Sequence, residues 1–345
     1  MKKIIIGKNI LPKISELFDL QRFSKITVLT DENIPKSLAD TIKKSINKKL
    51  IKIIIPAGEK EKNIETVKRI WKQMFDEGLD RRSLLINLGG GVVCDMGGFA
   101  ASTFMRGIDF LNVPTTLLSQ VDAGIGGKTG IDFVDIKNGI GVFKDPIGTI
   151  IDVETLKTLP KRELTAAFGE IIKHGVISGR EYFDLVTSKK PGEFDQNELI
   201  EIIRQSIKIK SNIVKKDPKE DGFRKVLNFG HTIGHAVESL SWKSDRPLLH
   251  GEAVAIGMIL ESRLANDLGL LSKNDMETIE RSINKVGLIT EMRDIKTPDI
   301  IAMIFSDKKN IRGEILMSLP KRIGKVIPNI KIPLEKIKST IDHYN

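Results

Sequence analysis

Two of the chain's five histidines stand four residues apart in a segment with a helical pattern. His231 and His235 occur in Asn-Phe-Gly-His-Thr-Ile-Gly-His, residues 228–235. Side chains four residues apart lie on one face of a helix, so both imidazoles could bind one ligand. The metalloprotease motif His-Glu-x-x-His is absent, because threonine follows the first histidine. A metal site and a pair of capping or core histidines are the two interpretations of this segment.

A third histidine and a glutamate are candidates for completing a metal site. His250 precedes Gly251-Glu252 at the start of another helical pattern, and Glu170 lies in an earlier one. Histidine and carboxylate ligands from separate helices can form an open zinc site with room for water or substrate. Further cationic and amide side chains are candidates for binding an anionic, polyhydroxylated substrate beside the metal: Lys173, Lys210, Arg224, Asn228, Lys308 and Lys309.

Two glycine-rich loops are candidates for binding phosphate. Gly89-Gly90-Gly91 follows an apolar run and opens a helical segment, where backbone amides can approach a pyrophosphate. The dinucleotide fingerprint also requires glycine at its sixth position, which is Cys94 here, so a tight strand-to-helix turn is the alternative. The loop from Gly124 to Thr129 lacks the opening glycine of a P-loop, and it presents Lys128 as a point charge for phosphate or carboxylate, or as a solvated surface lysine.

The elements that would carry these residues change in character along the chain. In the first half, apolar runs at 25–30, 50–55 and 83–88 alternate with helical segments such as 63–78. This alternation predicts a parallel sheet covered by helices. Helical patterns dominate from about Lys161, at residues 163–177, 197–215, 231–241, 250–268 and 272–286. The sequence therefore predicts an α/β N-terminal domain over residues 1–160 and a mainly α-helical C-terminal domain over 161–345, whose tail from 325 is expected to form a solvated edge and a last helix.

Composition excludes several classes of protein. In 345 residues, 40% are hydrophobic and 29% are charged, which excludes a disordered or fibrous chain. No apolar run approaches the roughly 18 residues that span a bilayer. The single cysteine, Cys94, excludes an internal disulfide and favours the reducing cytoplasm. The formal charge of +10 suits an anionic partner, and because only 5% of residues are aromatic we expect a phosphorylated metabolite rather than nucleic acid.

Several longer motifs, in order along the chain, resemble those of the 3-dehydroquinate synthase family, within the sugar-phosphate cyclases. They are Arg106-Gly107, Val113 to Leu118, Val121-Asp122 with Gly126 to Thr129, Lys137-Asn138, Thr158-Leu159-Pro160, Glu170-x-x-Lys173, Leu227 to His235, and His250-Gly251-Glu252. The match extends from about Asp31 to Asn310. It implies an N-terminal NAD-binding α/β domain, a C-terminal helical domain that binds metal and substrate, an active site in the cleft between them, and a homodimer.

The resemblance also implies a role for individual residues. It makes Glu170, His231 and His250 the ligands of Zn²⁺ or Co²⁺, while His235 faces the substrate instead. NAD contacts carry over to Asp31, Asn33, Glu59, Lys62, Gly91, Val92, Val93, Cys94, Asp95, Thr115, Thr116, Asp122, Lys128, Lys137, Thr155, Leu156, Lys157 and Thr158. Substrate contacts carry over to Arg106, Lys128, Asn138, Lys173, Lys210, Arg224, Asn228, His235 and Lys308, with Arg106 expected to reach the neighbouring subunit's site.

The implied reaction converts 3-deoxy-D-arabino-heptulosonate 7-phosphate to 3-dehydroquinate and phosphate, in the shikimate route to aromatic compounds. The alternatives are a sibling cyclase acting on a neutral sugar phosphate, such as 2-deoxy-scyllo-inosose synthase or 2-epi-5-epi-valiolone synthase, a metal-dependent alcohol dehydrogenase of the glycerol dehydrogenase type, and a nucleic-acid binder. Lys210 and Arg224 suit a substrate carboxylate, which favours the heptulosonate phosphate. Three positions depart from the family pattern: Cys94 replaces a common glycine and could crowd the phosphate turn, Gly169 replaces alanine, and His174 replaces tyrosine.

Overall fold

The chain folds into two compact units. A computed structural model describes residues 3–134, 136–218, 220–292, 295–306 and 315–344. One unit comprises Met1–Pro160 with Gln196–Ile203, and the other comprises Lys161–Asp195 with Arg204–Asn345. None of the helices in these ranges is both long enough and apolar enough to cross a membrane.

The first unit is built on a parallel sheet. Its strands are β1 (Lys3–Gly7), β2 (Ile26–Asp31), β3 (Leu50–Ile55), β4 (Leu84–Gly89), β5 (Asp109–Pro114), β6 (Lys128–Phe133), β7 (Ile136–Phe143) and β8 (Gly148–Asp152). Six of them pair in the order β1-β8-β5-β4-β2-β3, and every pairing is parallel. The other two, β6 and β7, form a separate antiparallel hairpin. The α/β architecture expected for this half of the chain is confirmed.

Helices cover both faces of this sheet: α1 (Ile14–Leu17), α2 (Lys36–Ser45), α3 (Ile64–Asp76) and α4 (Gly91–Thr103). Alternate residues of a strand enter different cores, so that Leu84 and Ile86 pack with α1 and α2, whereas Leu85 packs with α3 and α4. A strand that is buried on both faces consists of a continuous apolar run, which is why the sequence predicted β4.

The second unit is mainly helical. Its helices are α5 (Lys161–Ala166), α6 (Phe168–Ser178), α7 (Arg180–Val186), α8 (Gln196–Lys216), α9 (His231–Ser241), α10 (His250–Asp267), α11 (Lys273–Val286), α12 (Thr297–Ser306) and α13 (Leu334–Asp342), and the first residues of α8 group with the other unit. An antiparallel hairpin of β9 (Ile315–Arg322) and β10 (Lys325–Ile332) precedes the last helix. The sequence predicted one helix over 163–177, but the structure divides it at Ala167, whose ψ of −24° departs from the usual helical value of about −42°.

Candidate active-site residues

Three helices of the second unit bring Glu170, His231 and His250 together. Glu170 lies in the first turn of α6, and the two histidines are the first residues of α9 and α10. Oε1 of Glu170 lies 3.3 Å from Nε2 of His231 and 3.5 Å from Nε2 of His250. The carboxylate is almost completely buried, whereas the side chains of His231 and His250 are 12% and 30% exposed, so this compact donor cluster is open to solvent through its imidazoles.

His235 belongs to the same cluster. It lies one turn after His231, and the ring centroids of these two histidines are 5.0 Å apart. Ligand nitrogens of His231, His235 and His250 all lie within 4.8 Å of one another. The pair predicted from helical spacing and the set predicted from the family resemblance therefore describe one cluster of four donors.

The charges around Glu170 keep its carboxylate ionised. Lys173, one turn further along α6, forms an ion pair with Glu170, and both side chains are buried. Burial by itself would raise the pKa of Glu170, but the charge of Lys173 and the contact with His231 hold it well below its usual range. Burial and the charge of Lys173 lower the pKa of His231. An ionised carboxylate and a neutral imidazole are the forms that bind a metal ion. Burial lowers the pKa of His250, but the carboxylates of Glu170 and Glu238 raise it to about 10, so an ion bound there would displace a proton from this imidazole.

The donor set fits a divalent ion such as Zn²⁺ or Co²⁺. Oε1 of Glu170 is buried and accepts no hydrogen bond of normal geometry from the described residues, although the ring nitrogens of His231 and His250 face it. One carboxylate oxygen with two or three imidazole nitrogens is a ligand set that these ions prefer. The residues of this cluster are therefore able to hold such an ion.

Apart from His235 in α9 and Lys308, the predicted substrate residues of this unit lie in α6, in α8 and in the segment before α9. Arg224 and Asn228 belong to a 3-10 helix spanning Phe223–Asn228, and Lys210 lies in α8. Glu220, which the sequence analysis missed, lies beside two of them: its carboxylate is 3.8 Å from Nε of Arg224 and accepts a 3.4 Å hydrogen bond from Nδ2 of Asn228. Glu220 precedes these partners by four and eight residues, and this spacing was the sequence signal that could have identified it. Lys308 and Lys309 lie outside the described residues.

The two departures from the family pattern in α6 have structural explanations. A Cβ at Gly169 would lie 2.1 Å from the carbonyl oxygen of Gly251, so glycine lets α6 approach α10 closely. His174 is fully buried, and its Nδ1 lies 2.5 Å from the hydroxyl of Ser206 on α8. His174 is thus a hydrogen-bonded core histidine.

In the first unit, the sheet topology identifies the carboxyl ends of β2 and β4 as a candidate binding site. The connection after β2 leads to β3 at one edge of the sheet, whereas the connection after β4 leads to β5 on the opposite side. In parallel α/β sheets, ligands bind outside the carboxyl ends of strands where the direction of connection reverses. Asp31 ends β2, and Gly89 ends β4 directly before the first turn of α4.

The glycine turn after β4 is required by close packing. A Cβ at Gly89 would lie 2.5 Å from Cγ2 of Val93, so only glycine lets the chain turn this tightly into α4. Cys94 does not crowd the turn, because its side chain is buried and its thiol lies 3.7 Å from the hydroxyl of Ser119. Burial raises the pKa of this thiol to about 12, so it stays neutral.

A buried lysine joins residues that the sequence placed in separate motifs. Nζ of Lys62 donates hydrogen bonds of 2.6 Å to Oδ2 of Asp95 and 2.6 Å to Oδ1 of Asn138, and it lies 4.0 Å from Glu59. Burial lowers the pKa of Lys62, but Asp95 and Glu59 outweigh that effect and raise it. Burial also raises the pKa of Asp95 to about 6, against the opposing charge of Lys62.

The other predicted NAD-binding residues of the first unit lie after strand ends or in the β6–β7 hairpin. Thr115 and Thr116 follow β5, and the 3-10 helix Val153–Thr158 follows β8. The remaining ones are Asn33 after β2, Asp122 in a π-helical turn, Lys128 at the start of β6 and Lys137 in β7. Gln120 was missed: its buried amide donates a 3.1 Å hydrogen bond to Oγ1 of Thr155.

Arg106 occupies an unusual backbone conformation. It and Met105 both adopt left-handed φ angles, +69° and +48°, before Gly107 at +111°. Such angles cost a non-glycine residue about 1–3 kcal/mol and are concentrated at functional sites. The Arg106 side chain is exposed at the surface of the first unit.

Comparison with known proteins assigns both halves of the chain to one family. The model of the 3-dehydroquinate synthase N-terminal domain matches residues 52–166, and that of the C-terminal domain matches residues 167–310. The chain is 42% identical over 330 residues to a 3-dehydroquinate synthase of Desulforamulus reducens, covering 94% of this chain and 91% of that protein.

Solved structures give a similar fold. A 2-deoxy-scyllo-inosose synthase complexed with carbaglucose-6-phosphate, NAD⁺ and Co²⁺ superposes with a TM-score of 0.90 at 24% identity, covering 99% of this chain and 96% of that one. The 2-epi-5-epi-valiolone synthase of Streptomyces hygroscopicus subsp. jinggangensis, with NAD⁺ and Zn²⁺ bound, superposes with a TM-score of 0.89 at 25% identity and the same coverage.

Proposed function

This chain belongs to the 3-dehydroquinate synthase family, and we propose that it converts 3-deoxy-D-arabino-heptulosonate 7-phosphate to 3-dehydroquinate and phosphate, as a phosphate-eliminating lyase that depends on NAD and a divalent metal. The observation that carries the proposal is the cluster in which the partly exposed His231 and His250 face the buried carboxylate of Glu170, which pairs with Lys173. Similar solved cyclases contain NAD⁺ with Co²⁺ or Zn²⁺, which supports the same cofactors here.

NAD would bind the first unit at the carboxyl ends of β2 and β4. The amides of Gly91 to Asp95 open α4, and a helix N-terminus favours the negative charge of a pyrophosphate. Asp31 lies at the end of β2, where its carboxylate would accept hydrogen bonds from a ribose. When bound, NAD would oxidise a substrate hydroxyl and later return the hydride, so that no cofactor is consumed.

A divalent ion held by Glu170, His231 and His250 would acidify the hydroxyl that is oxidised. The cationic and amide side chains of the second unit would bind the rest of the substrate. Arg224 is buried, and its Nη1 donates a 2.9 Å hydrogen bond to the Pro218 carbonyl, which fixes the plane of the guanidinium. A guanidinium fixed in this way can bind a carboxylate in bidentate fashion, and the ammonium of Lys210 adds a second positive charge. His235 and Asn228 would position the substrate and relay protons.

The carboxylate of the substrate separates this activity from that of sibling cyclases. A neutral sugar phosphate offers no carboxylate to Arg224 and Lys210, so binding it would desolvate these cations without the charge-assisted hydrogen bonds that the acid provides, at a cost of several kcal/mol. We therefore expect kcat/KM for the heptulosonate phosphate to exceed that for glucose 6-phosphate or sedoheptulose 7-phosphate by at least about 10³-fold, since ~1.4 kcal/mol is one decade.

A substrate comparison tests this assignment. Steady-state phosphate release from the acid and from the two neutral sugar phosphates gives the ratio of their kcat/KM values. Arg224→Met should remove most of the preference for the acid, mainly by loss of activity on the acid. If the unmodified enzyme uses a neutral sugar phosphate within about tenfold of the acid, the chain is a sibling cyclase. Net NADH formation in step with substrate consumption would instead indicate an alcohol dehydrogenase.

We further propose a cytoplasmic homodimer. Large apolar side chains on the β6–β7 hairpin are strongly exposed, with Phe133 at 46%, Val134 at 72% and Phe143 at 77%. An exposed apolar patch of this kind marks an interaction surface, and a second copy of the chain is its expected occupant. The strained turn at Arg106 would present that side chain to the partner's site. Light scattering should show a dimer, and Phe143→Asp should shift it towards the monomer; a monomeric parent protein would contradict the proposal. The single buried cysteine suits a reducing compartment.

A further inference from the structure

Glu238 lies against a histidine of the candidate metal centre without belonging to the donor set. It is buried in α9, two turns after His231 and on the same face as His235. Its Oε2 lies 3.1 Å from Nδ1 of His250, which is on the next helix, α10. The opposite ring nitrogen, Nε2, faces Glu170 at 3.5 Å.

This contact determines which nitrogen of His250 can bind a metal. A neutral imidazole carries one N–H, and a carboxylate beside Nδ1 holds the proton there as a hydrogen-bond donor. The lone pair is then on Nε2, which points towards Glu170. Carboxylate partners of this kind orient metal-ligating histidines and increase their basicity, and their loss typically weakens metal binding by about 10–100-fold.

We infer that Glu238 is a positioning residue of the metal centre, which orients the ring of His250 and keeps its Nε2 available to a divalent ion. The inference rests on the proposed metal site. It deepens that proposal, because it assigns a function to a buried carboxylate that does not itself bind the metal.

The helix that carries His250 is anchored independently of Glu238. The carboxylate of Glu252 accepts hydrogen bonds from the amide of Leu249 at 2.8 Å and from Nε and Nη2 of Arg162 at 2.8 and 2.7 Å. These bonds fix the backbone at the start of α10. Removal of Glu238 should therefore release the imidazole ring while the helix stays in place.

The test measures metal affinity directly, in the full-length protein without NAD or substrate. Zn²⁺ dissociation constants are obtained by competition with a chromophoric chelator, and the Co²⁺-loaded proteins are compared by their visible absorption spectra. Glu238→Ala should raise the dissociation constant about 10–100-fold and shift the Co²⁺ spectrum. Glu238→Gln keeps an acceptor oxygen without the charge and should give a smaller loss. Glu280→Gln is the matched control, since Glu280 pairs with Arg263 of α10 at 2.6 Å and does not contact a histidine.

The outcomes separate positioning from a purely structural role. An increase below threefold for Glu238→Ala, or an equal increase for Glu280→Gln, would overturn the inference. If Glu238→Ala does not fold, Glu238→Gln decides by the same threefold limit. A parent protein that binds one Zn²⁺ but lacks cyclase activity would refute the proposed reaction and leave the inference intact. An active parent with unchanged affinity in Glu238→Ala would refute the inference alone, and a parent that binds no Zn²⁺ would also overturn it.

Discussion

The ion pair between Glu170 and Lys173 gives the sharpest prediction about stability. Both side chains are buried, with exposed fractions of 1% and 3%. Glu170→Gln would keep the shape of the side chain but leave the ammonium of Lys173 buried without its counterion. Removal of one partner of a buried pair costs about 3–5 kcal/mol. For a unit of this size, each kcal/mol lowers Tm by about 2–4 °C, so we expect a decrease of roughly 10 °C.

The measurement is thermal unfolding in the presence of a metal chelator, so that loss of a bound ion does not contribute. Lys173→Met in the Glu170→Gln background removes the unpaired ammonium and should restore most of the lost stability. Asp184→Asn is the control: it breaks an exposed pair with Arg180 of 3.0 Å in α7, which contributes at most about 1 kcal/mol. The reasoning is refuted if Glu170→Gln lowers Tm no more than Asp184→Asn does, or if Lys173→Met restores nothing.

Two further predictions concern the metal ligands and the first unit. His231→Ala should lose both the bound metal and activity, whereas His235→Ala should lower turnover and keep about one metal per subunit by elemental analysis; equal loss of metal would make His235 a ligand. Burial raises the pKa of Asp95 from 3.8 to about 6. The protonated carboxyl therefore stabilises the folded state fully below about pH 4, and this stabilisation, at most about 3 kcal/mol, is lost as the pH rises through 6. The difference in Tm between Asp95→Asn and the parent should therefore shift in favour of the variant as the pH rises from 4 to 7. A difference that stays constant over that range would contradict the assignment.

Local patterns in the sequence predicted much of the fold. The apolar run 50–55 coincides with β3, and the helical pattern 231–241 coincides with α9, because burial determines the spacing of apolar residues within one element. The sequence did not predict that the helix expected over 163–177 is divided at Ala167, because both parts have buried faces and keep the helical spacing of apolar residues.

The candidate site was predictable where ligands lie in recognisable motifs, and less so where contacts are long-range. Glu170, His231 and His250 came from motifs, whereas the buried bonds of Lys62 to Asp95 and Asn138 join residues 33 and 76 positions apart. Glu238 shares a helix face with His231 and His235, which was a usable signal. Its hydrogen bond to His250, however, depends on how α9 packs against α10, and a single sequence does not reveal that packing.

In the proposed reaction, the chain eliminates phosphate from its substrate with no net redox change. The most direct measurement follows phosphate release and the absorbance of NADH together, with excess 3-deoxy-D-arabino-heptulosonate 7-phosphate, Zn²⁺ or Co²⁺, and NAD at about the concentration of the enzyme. A redox-neutral elimination should give many equivalents of phosphate per NAD, no accumulation of NADH, and no turnover after chelation of the metal or omission of NAD. Phosphate release limited to one equivalent per NAD, or NADH accumulating in step with substrate consumption, would contradict it.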